Sequence, residues 1–411
     1  MTEKSLKIGP DTSRRYKIAV IAPSCFYYHA PLYRKLAACE DVDLKVYFCS
    51  DEALEGRQIE IQFGASATWG LEDVLSGYQY EFLENNSPTP SYLKSLVGLL
   101  NRGIWKAIER DRPDLVVLMA WINPTWWLAV AACKYFDINY VFMTDQNIQN
   151  EANRSGLKAF FKNLVLRRII FPTASGFLSS GIANDRFYQR FNVPQDKIIP
   201  FAFSWGYEEI IQVAEKLRGD KALIREELGL GRDQFVVLFA GRFVPEKDLM
   251  TLIRAYKLAA MENSVLMFIG DGGLKTQLTT FASQHDMDDV MFFGFKNRQE
   301  ISRFFSVADV VVLPSIRETW GLVVNEALCF SVPVILSDQV GSVYDLVDPA
   351  QNGFVFIAGD ATSLADKLET LHDMPIENRR QMRAKSLQKI TDWINRDNIG
   401  ELLKFTRSTV K

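Results

Sequence analysis

Short apolar runs alternate with longer amphipathic stretches along most of the chain, a rhythm that predicts parallel β/α construction. In the first half the runs predict strands at residues 17–22, 43–49, 115–119, 139–143, 176–179 and 198–201. Helical periodicity lies between them, clearest at 31–39, 92–110, 124–135 and 157–168. A second series follows Gly229-Leu230-Gly231, with strands at 235–240, 265–269, 290–293, 310–313 and 332–336 and helices at 248–260, 274–285, 299–307 and 323–330. Near-continuous apolar strands such as 115–119 suit a sheet covered on both faces. The two halves share a style without sharing sequence. Residues 200–205 and the charged segment 208–221 read as the hinge, and residues 376–411 read as helix that packs back across the first half.

Length and composition sharpen this picture. At 411 residues the chain exceeds what one core serves, so two domains are expected. A formal net charge of −3 leaves no basic field for nucleic acid, which is excluded as a partner. The polar N-terminus carries no signal-peptide pattern, and no stretch approaches the ~18–20 apolar residues of a membrane span. Five scattered cysteines (Cys25, Cys39, Cys49, Cys133, Cys329) have neither zinc-ligand spacing nor a disulfide framework, which suits a reducing cytoplasm.

In open α/β sheets ligands sit beyond the carboxyl ends of the strands, so the loops there are where chemistry is sought. One begins at Pro314 and runs Ser315-Ile316-Arg317-Glu318-Thr319-Trp320-Gly321-Leu322 into a helix that carries Glu326. Glu318 and Glu326 stand eight positions apart, ~12 Å if the interval were wholly helical and less if part of it is loop. Such a spacing suits carboxylates that accept hydrogen bonds from two separate diols, with the helix N-terminus between them facing an anion. A glutamate capping the helix and a second one exposed on its surface would read the same way. Glu326 sits among Ala327 and Leu328 in a helix expected to be buried, where a charge needs a partner.

Gly241-Arg242-Phe243-Val244-Pro245-Glu246-Lys247 follows another strand and places two cations on one loop. Cations so placed stabilise charge that develops on a departing diphosphate; an Arg/Lys pair bridged to Glu246 is the plainer alternative. Gly270-Asp271-Gly272-Gly273 permits close backbone approach and an anion nest, yet lacks the G-x-G-x-x-G spacing of a dinucleotide fold. Gly294 and Phe295 end a further strand, where backbone could meet the edge of a nucleobase.

In this order and spacing the stretches closely resemble glycosyltransferase family 4, strongly across residues 235–353 and more weakly through the first half. The resemblance implies a GT-B fold, two Rossmann-like domains facing across a cleft: an acceptor-side domain at 1–205, a donor domain at 206–388 and a helical tail at 389–411. It further implies a retaining glycosyltransferase that moves a hexose-type sugar from a nucleotide diphosphate sugar to a hydroxyl acceptor in polysaccharide or glycolipid synthesis. Arg242, Lys247 and Glu318 would be catalytic. Gly241, Gly270, Gly272, Phe295, Thr319, Trp320, Gly321, Leu322 and Glu326 would bind the donor. The leaving diphosphate would help deprotonate the incoming hydroxyl on the same face, with no protein nucleophile, no cofactor and no metal.

This chain departs from many relatives in two places. Pro23-Ser24-Cys25-Phe26-Tyr27-Tyr28-His29 replaces their double-glycine loop, and together with residues 30–36 resembles a subgroup of exopolysaccharide and cell-surface glycan enzymes. Asp145 occupies the place of a strand-end histidine. His29 and Asp145 are candidates for acceptor or sugar contact, against a buried histidine and a helix cap respectively. Trp121, Asn123, Trp126 and Trp127 also follow a strand end, as sugar-stacking faces or as core. The pairs Asp41/Asp43 and Asp286/Asp288 lie at the wrong ends of their strands for a metal site and read as turns. Arg154, Lys158 and Lys162 recur at helical spacing beside Phe160, Phe161 and Leu164, a solvated amphipathic helix or a peripheral contact with the inner face of a membrane, where a lipid-linked acceptor would lie. A catalytically silent nucleotide-sugar-binding subunit and an epimerase-like enzyme on the same fold remain open.

Overall fold

The computed structural model describes residues 14–54, 74–92, 97–152, 156–202 and 206–410, and these fall into two compact units. The first holds residues up to 51, those of 74–142 and those of 403–410; the second holds 52–54 and those of 143–402.

In the first unit β1 (Tyr16–Ala22), α1 (Ala30–Ala37), β2 (Val42–Phe48), β3 (Gln79–Phe82), α2 (Gly103–Asp111), β4 (Leu115–Leu118), α3 (Pro124–Tyr135) and β5 (Asn139–Met143) follow in order. The strands run parallel in the spatial order β3-β2-β1-β4-β5. Ile18 through Ala22 on β1 and all of β4 are buried, as near-continuous apolar strands require when helices cover both faces. At the far end of the chain Arg407 pairs with Asp41 at 2.5 Å, and Asn139 Nδ2 donates to the Thr409 carbonyl at 3.2 Å, tying the last helix into this unit.

In the second unit come α4 (Ile148–Ala152), α5 (Leu157–Val165), β6 (Gly176–Ser179), α6 (Ile182–Arg190), β7 (Ile198–Pro200), α7 (Tyr207–Leu217) and α8 (Lys221–Glu227). A regular alternation follows: β8 (Phe235–Ala240), α9 (Leu249–Ala259), β9 (Ser264–Ile269), α10 (Lys275–Gln284), β10 (Val290–Phe292), α11 (Arg298–Val307) and β11 (Val310–Leu313). It closes with α12 (Leu322–Cys329), β12 (Val334–Ser337), α13 (Val343–Leu346), β13 (Gly353–Phe356), α14 (Ala361–His372) and α15 (Ile376–Ile394); the last helix, α16 (Asn398–Thr409), belongs to the first unit from Leu403 on. Strands β8 to β13 form a six-stranded parallel sheet in the order β10-β9-β8-β11-β12-β13. Every residue of β8, β9, β11 and β12 is buried, and each such apolar side chain contributes roughly 1.5–3 kcal/mol by leaving water. The sheet therefore holds its strand-end loops on a stiff base.

Four sequence expectations change. The charged segment 208–221 is not a bare hinge: Tyr207, Ile210 and Leu217 share a face, and 207–217 form α7, where residue period outweighs charge. The last residues of the expected hinge, 203–205, lie outside the described residues. Residues 97–102 are not helical. Asn101 instead donates its side-chain amide to the carbonyls of Cys49 and Leu83 at 2.9 Å each, and such side-chain-to-backbone bonds compete with a helix. The helix expected to reach 168 ends at Val165 and passes into a π turn at Leu166–Ile170. Two strands went unforeseen. β3 is a short edge strand in which Tyr80 and Phe82 alternate with Gln79 and Glu81, a period-2 pattern four residues long, and β13 is equally short and opens on a glycine, without such alternation.

Candidate functional site

The loops leaving β8 and β9 are built into one another. Gly241 N donates to the Ile269 carbonyl at 2.9 Å, Phe243 N to Asp271 O at 2.8 Å, and Leu274 N to Phe243 O at 3.0 Å. A Cβ on Gly270 would stand 1.9 Å from the Gly241 oxygen, and one on Gly272 2.7 Å from the Phe243 oxygen. These glycines are thus required by loop-on-loop packing, whatever else their amides do. Gly294 accepts from Gly270 N at 2.8 Å, so the half-buried Phe295 follows directly on this lattice.

The same lattice presents the cations. Pro245–Lys247 turn as a short 3₁₀ segment, and the Glu246 carbonyl receives Ile316 N at 2.9 Å from the loop after β11. Arg317 and Glu246 pair at the surface, 2.9 Å apart. Deeper in, the Lys247 ammonium bonds the Glu318 carboxylate, each side chain only 15% exposed, and the Ser315 hydroxyl donates to the same Oε2 at 3.3 Å. Lys247 and Glu318, 71 positions apart in sequence, are brought into direct contact. Arg242, on the same loop as Lys247, is half-buried, and among the described residues its guanidinium makes no hydrogen bond or ion pair. Lys247 is bridged to Glu318 and not to Glu246.

The loop carrying Glu318 is held along its backbone. Glu318 bridges to Val340 as one parallel rung, with Gly341 N donating to Glu318 O and Ser342 N to Trp320 O at 3.2 Å each. A Cβ on Gly341 would stand 1.8 Å from the Thr319 oxygen. Gly321 adopts φ 87, and a Cβ there would meet Leu313 at 2.8 Å, so the turn into α12 needs glycine. The indole of Trp320 is core: it is 4% exposed, donates Nε1 to Asn325 Oδ1 at 2.8 Å and stacks on Trp393 of α15 with centroids 5.2 Å apart. Thr319 and Leu322 remain half-exposed where α12 opens. The first amides of that helix lack intrahelical acceptors and carry its positive end, a setting suited to an anion.

Asp145 is brought to this loop. Its side chain reaches solvent while protein atoms crowd around it; that crowding raises its carboxyl above the usual range, the Glu318 charge adds to the rise, and a hydrogen bond with Thr319 opposes it. The residue next but one, Asn147, is 1% exposed and donates Nδ2 to the carbonyls of Glu318 at 2.7 Å and Thr319 at 3.0 Å. No sequence signal beyond a helix-capping asparagine marked it.

Glu326 is half-exposed, contrary to the expectation of a helix face buried by strands. On α12 it is Asn325 that turns fully inward, and the next residue emerges on the neighbouring side. There Glu326 lines a cavity of about 290 Å³ with Phe330, Glu209 and Ile210 of α7 and Ser302 and Phe305 of α11.

His29 lies elsewhere, in the first unit. It is 7% exposed among Tyr28, Tyr33 and Phe26, with centroids 4.5, 6.2 and 6.4 Å away. Burial pulls its pKa down to about 3, so the imidazole is neutral at physiological pH. Trp126 is core at 1% exposure, whereas Trp127 is half-exposed and donates Nε1 to Trp121 O at 3.0 Å. Asp41 is the partner of Arg407, and Asp286 turns through φ 52 after α10. Of the expected basic helix, Arg154 lies outside the described residues, and Lys162 turns inward to the buried Glu151 at 2.5 Å.

Residues 220–389 match the family model described as glycosyl transferases group 1. An uncharacterized glycosyltransferase of Methanocaldococcus jannaschii is 29% identical over 180 residues, 43% of this chain and 45% of that protein. Alpha-monoglucosyldiacylglycerol synthase of Acholeplasma laidlawii is 31% identical over 137 residues, 32% of this chain and 34% of that enzyme. The chain thus spans less than half the length of these curated relatives. Among solved structures, Anabaena HepE in complex with UDP and glucose is similar with a TM-score of 0.69 at 18% identity, covering 96% of this chain and 99% of that one. The two parallel sheets follow the GT-B plan of such neighbours, and the stretch that matches the glycosyl transferases group 1 model, residues 220–389, carries Lys247 and Glu318 at its strand ends.

Proposed function

We propose that the chain transfers a sugar of hexose type from a nucleoside diphosphate to a hydroxyl acceptor, with retention of anomeric configuration. The single observation that carries this reading is the contact of Lys247 with Glu318 beside the opening turn of α12, with Arg242 on the same loop. Glu318 accepts hydrogen bonds from the sugar hydroxyls. Arg242, Lys247 and the α12 amides take the diphosphate, whose charge grows as the glycosidic bond breaks, so they stabilise the transition state more than the ground state. Glu326 accepts from the ribose at the cavity it lines, and the backbone around Phe295 meets the base. The leaving phosphate oxygen takes the proton of the incoming hydroxyl on the face it vacates. Asp145 contacts the sugar or the acceptor. No metal takes part.

The acceptor belongs to polysaccharide or glycolipid synthesis. Among the described residues no helix is long and apolar enough to cross a membrane. Peripheral contact with a bilayer instead rests on Phe160 and Leu164 of α5 and on Ile169, which are 61%, 46% and 60% exposed and stand beside the exposed Arg167 and Arg168. Apolar side chains flanked by cations suit an anionic interface.

The test is a thermal-shift screen of nucleotide sugars, since a ligand of the native state raises its melting temperature, followed by product analysis. Nucleoside diphosphate released only with acceptor present, product with the donor's anomeric configuration in NMR, and activity surviving a chelator are expected. Binding without turnover would mean a silent donor-binding subunit, and conversion of the sugar without acceptor an epimerase. Loss of activity on chelation would remove the metal-free mechanism.

A further inference from the structure

Asn147 is a polar side chain placed where only its chemistry explains it. It is 1% exposed, stands before α4 and has a full set of partners. Its Oδ1 accepts from Asn150 N at 2.9 Å, and its Nδ2 faces two successive carbonyls, those of Glu318 and Thr319, at 2.7 and 3.0 Å. That environment fixes the orientation of the amide: two carbonyl oxygens can only be met by the NH₂, and an amide N–H only by the oxygen. The same two carbonyls lie against Gly341, whose absent Cβ would come within 2.8 Å of Nδ2 and 1.8 Å of the Thr319 oxygen. Gly341 N also donates to Glu318 O. Glycine at 341 therefore leaves the space into which Asn147 reaches, and the peptide between Glu318 and Thr319 is gripped from both sides.

We propose that Asn147 is a positioning residue for sugar transfer: it acts through the backbone of Glu318 and Thr319, not by touching substrate. This rests on the reading of Glu318 given under the proposed function. A carbonyl held by two donors fixes where the Glu318 Cα sits and hence where its carboxylate meets Lys247, while the Thr319 carbonyl orients the peptide that leads into Trp320 and α12. A free loop would carry the carboxylate on a backbone able to shift. A displacement of about 1 Å at a reacting group costs on the order of 100-fold in rate.

The experiment compares wild type with Asn147→Ala and Asn147→Asp. The aspartate variant keeps the acceptor for Asn150 N and the side-chain shape, and replaces the two donated bonds with an oxygen facing two carbonyl oxygens. Hydrogen exchange of peptides covering 315–324, which needs no donor, is expected to quicken about 10-fold or more in both variants, with the rest of the chain unchanged. Once a donor is identified, kcat is expected to fall about 10- to 100-fold while KM for the acceptor stays within about 3-fold. Unchanged exchange at 315–324 would overturn the proposal. So would exchange that quickens uniformly along the chain with a collapsed melting temperature in both variants, which would make Asn147 a general fold residue. Wild-type kcat in either variant would overturn it too. Failure of the underlying functional reading is separate: wild type would then transfer from no nucleotide sugar while the exchange result stood.

Discussion

Two strand-end loops of this molecule look alike in sequence and differ in kind. After β1, the first unit runs through Phe26, Tyr27, Tyr28 and His29, and the rings close on one another, Phe26 stacked on Tyr28 at 5.4 Å and Tyr28 against His29 at 4.5 Å. After β11, the second unit runs through Ser315 to Gly321, and its charged side chain meets an ammonium while its backbone is bonded to two further segments. Both contain an ionisable group that a sequence reader would select. In the first, burial without an opposite charge drives the imidazole to neutrality; in the second, Lys247 and Glu318 face each other in a setting that each alone would destabilise. Of these two loops, the one after β11 holds opposite charges together.

The largest expected effect that would break this contrast is that of Glu318→Gln. Transfer is expected to fall about 1,000-fold, within the range seen when one oxyanion-stabilising donor is removed from an active site. The partly buried Lys247 loses its partner, so the urea midpoint should drop by the equivalent of about 1–2 kcal/mol, less than for a fully buried pair. Turnover within a few-fold of wild type would end the assignment. Next comes Arg242→Ala, expected to lower kcat/KM for the donor about 100-fold while leaving the melting temperature unchanged, because this guanidinium has no bond within the described residues to lose. A lower melting temperature with normal kinetics would place it in the fold instead.

A third test concerns Asp345, the second unit's counterpart to His29. It is 7% exposed, accepts Ile182 N at 3.0 Å where α6 begins, and burial raises its pKa to about 6 against 3.8. The native state therefore binds more protons than the unfolded chain between about pH 4 and 6, and stability falls as pH rises through that window, by up to roughly 3 kcal/mol. Asp345→Asn keeps an acceptor for Ile182 N and should flatten that slope in urea titrations at pH 4.5 and 7; an unaltered slope would mean the carboxyl is not the source. The smallest effect is reserved for His29→Gln. With an imidazole neutral down to about pH 3, transfer should stay within about 3-fold and the pH–rate profile should keep its shape near 6.5. A lost inflection there would make His29 a working group after all.

Much of the plan was legible in the primary structure. Parallel sheets leave a signature of apolar runs separated by amphipathic ones, and β5, β6, β8 and β11 appear at the residues the runs marked. α7 was hidden because its charges drew more notice than the spacing of Tyr207, Ile210 and Leu217. β3 was legible in principle, since Tyr78, Tyr80 and Phe82 alternate with Gln79 and Glu81. In the site, Arg242, Lys247 and Glu318 stood out as charges at strand ends. That Lys247 meets Glu318 rather than Glu246 was not legible, since it depends on how far two loops 71 residues apart lean toward each other.

By itself the order of residues determined what is periodic and local: which runs become strands, which helices follow, where turns demand glycine and which strand ends bear charge. Tertiary structure alone decided the pairings. Glycine at 270 answers to the oxygen of Gly241, Trp320 to Trp393, and Asn147 to two carbonyls more than 170 positions away. A hydrogen bond or a close contact has a reach of a few ångströms, and only the folded chain brings such distant residues within it.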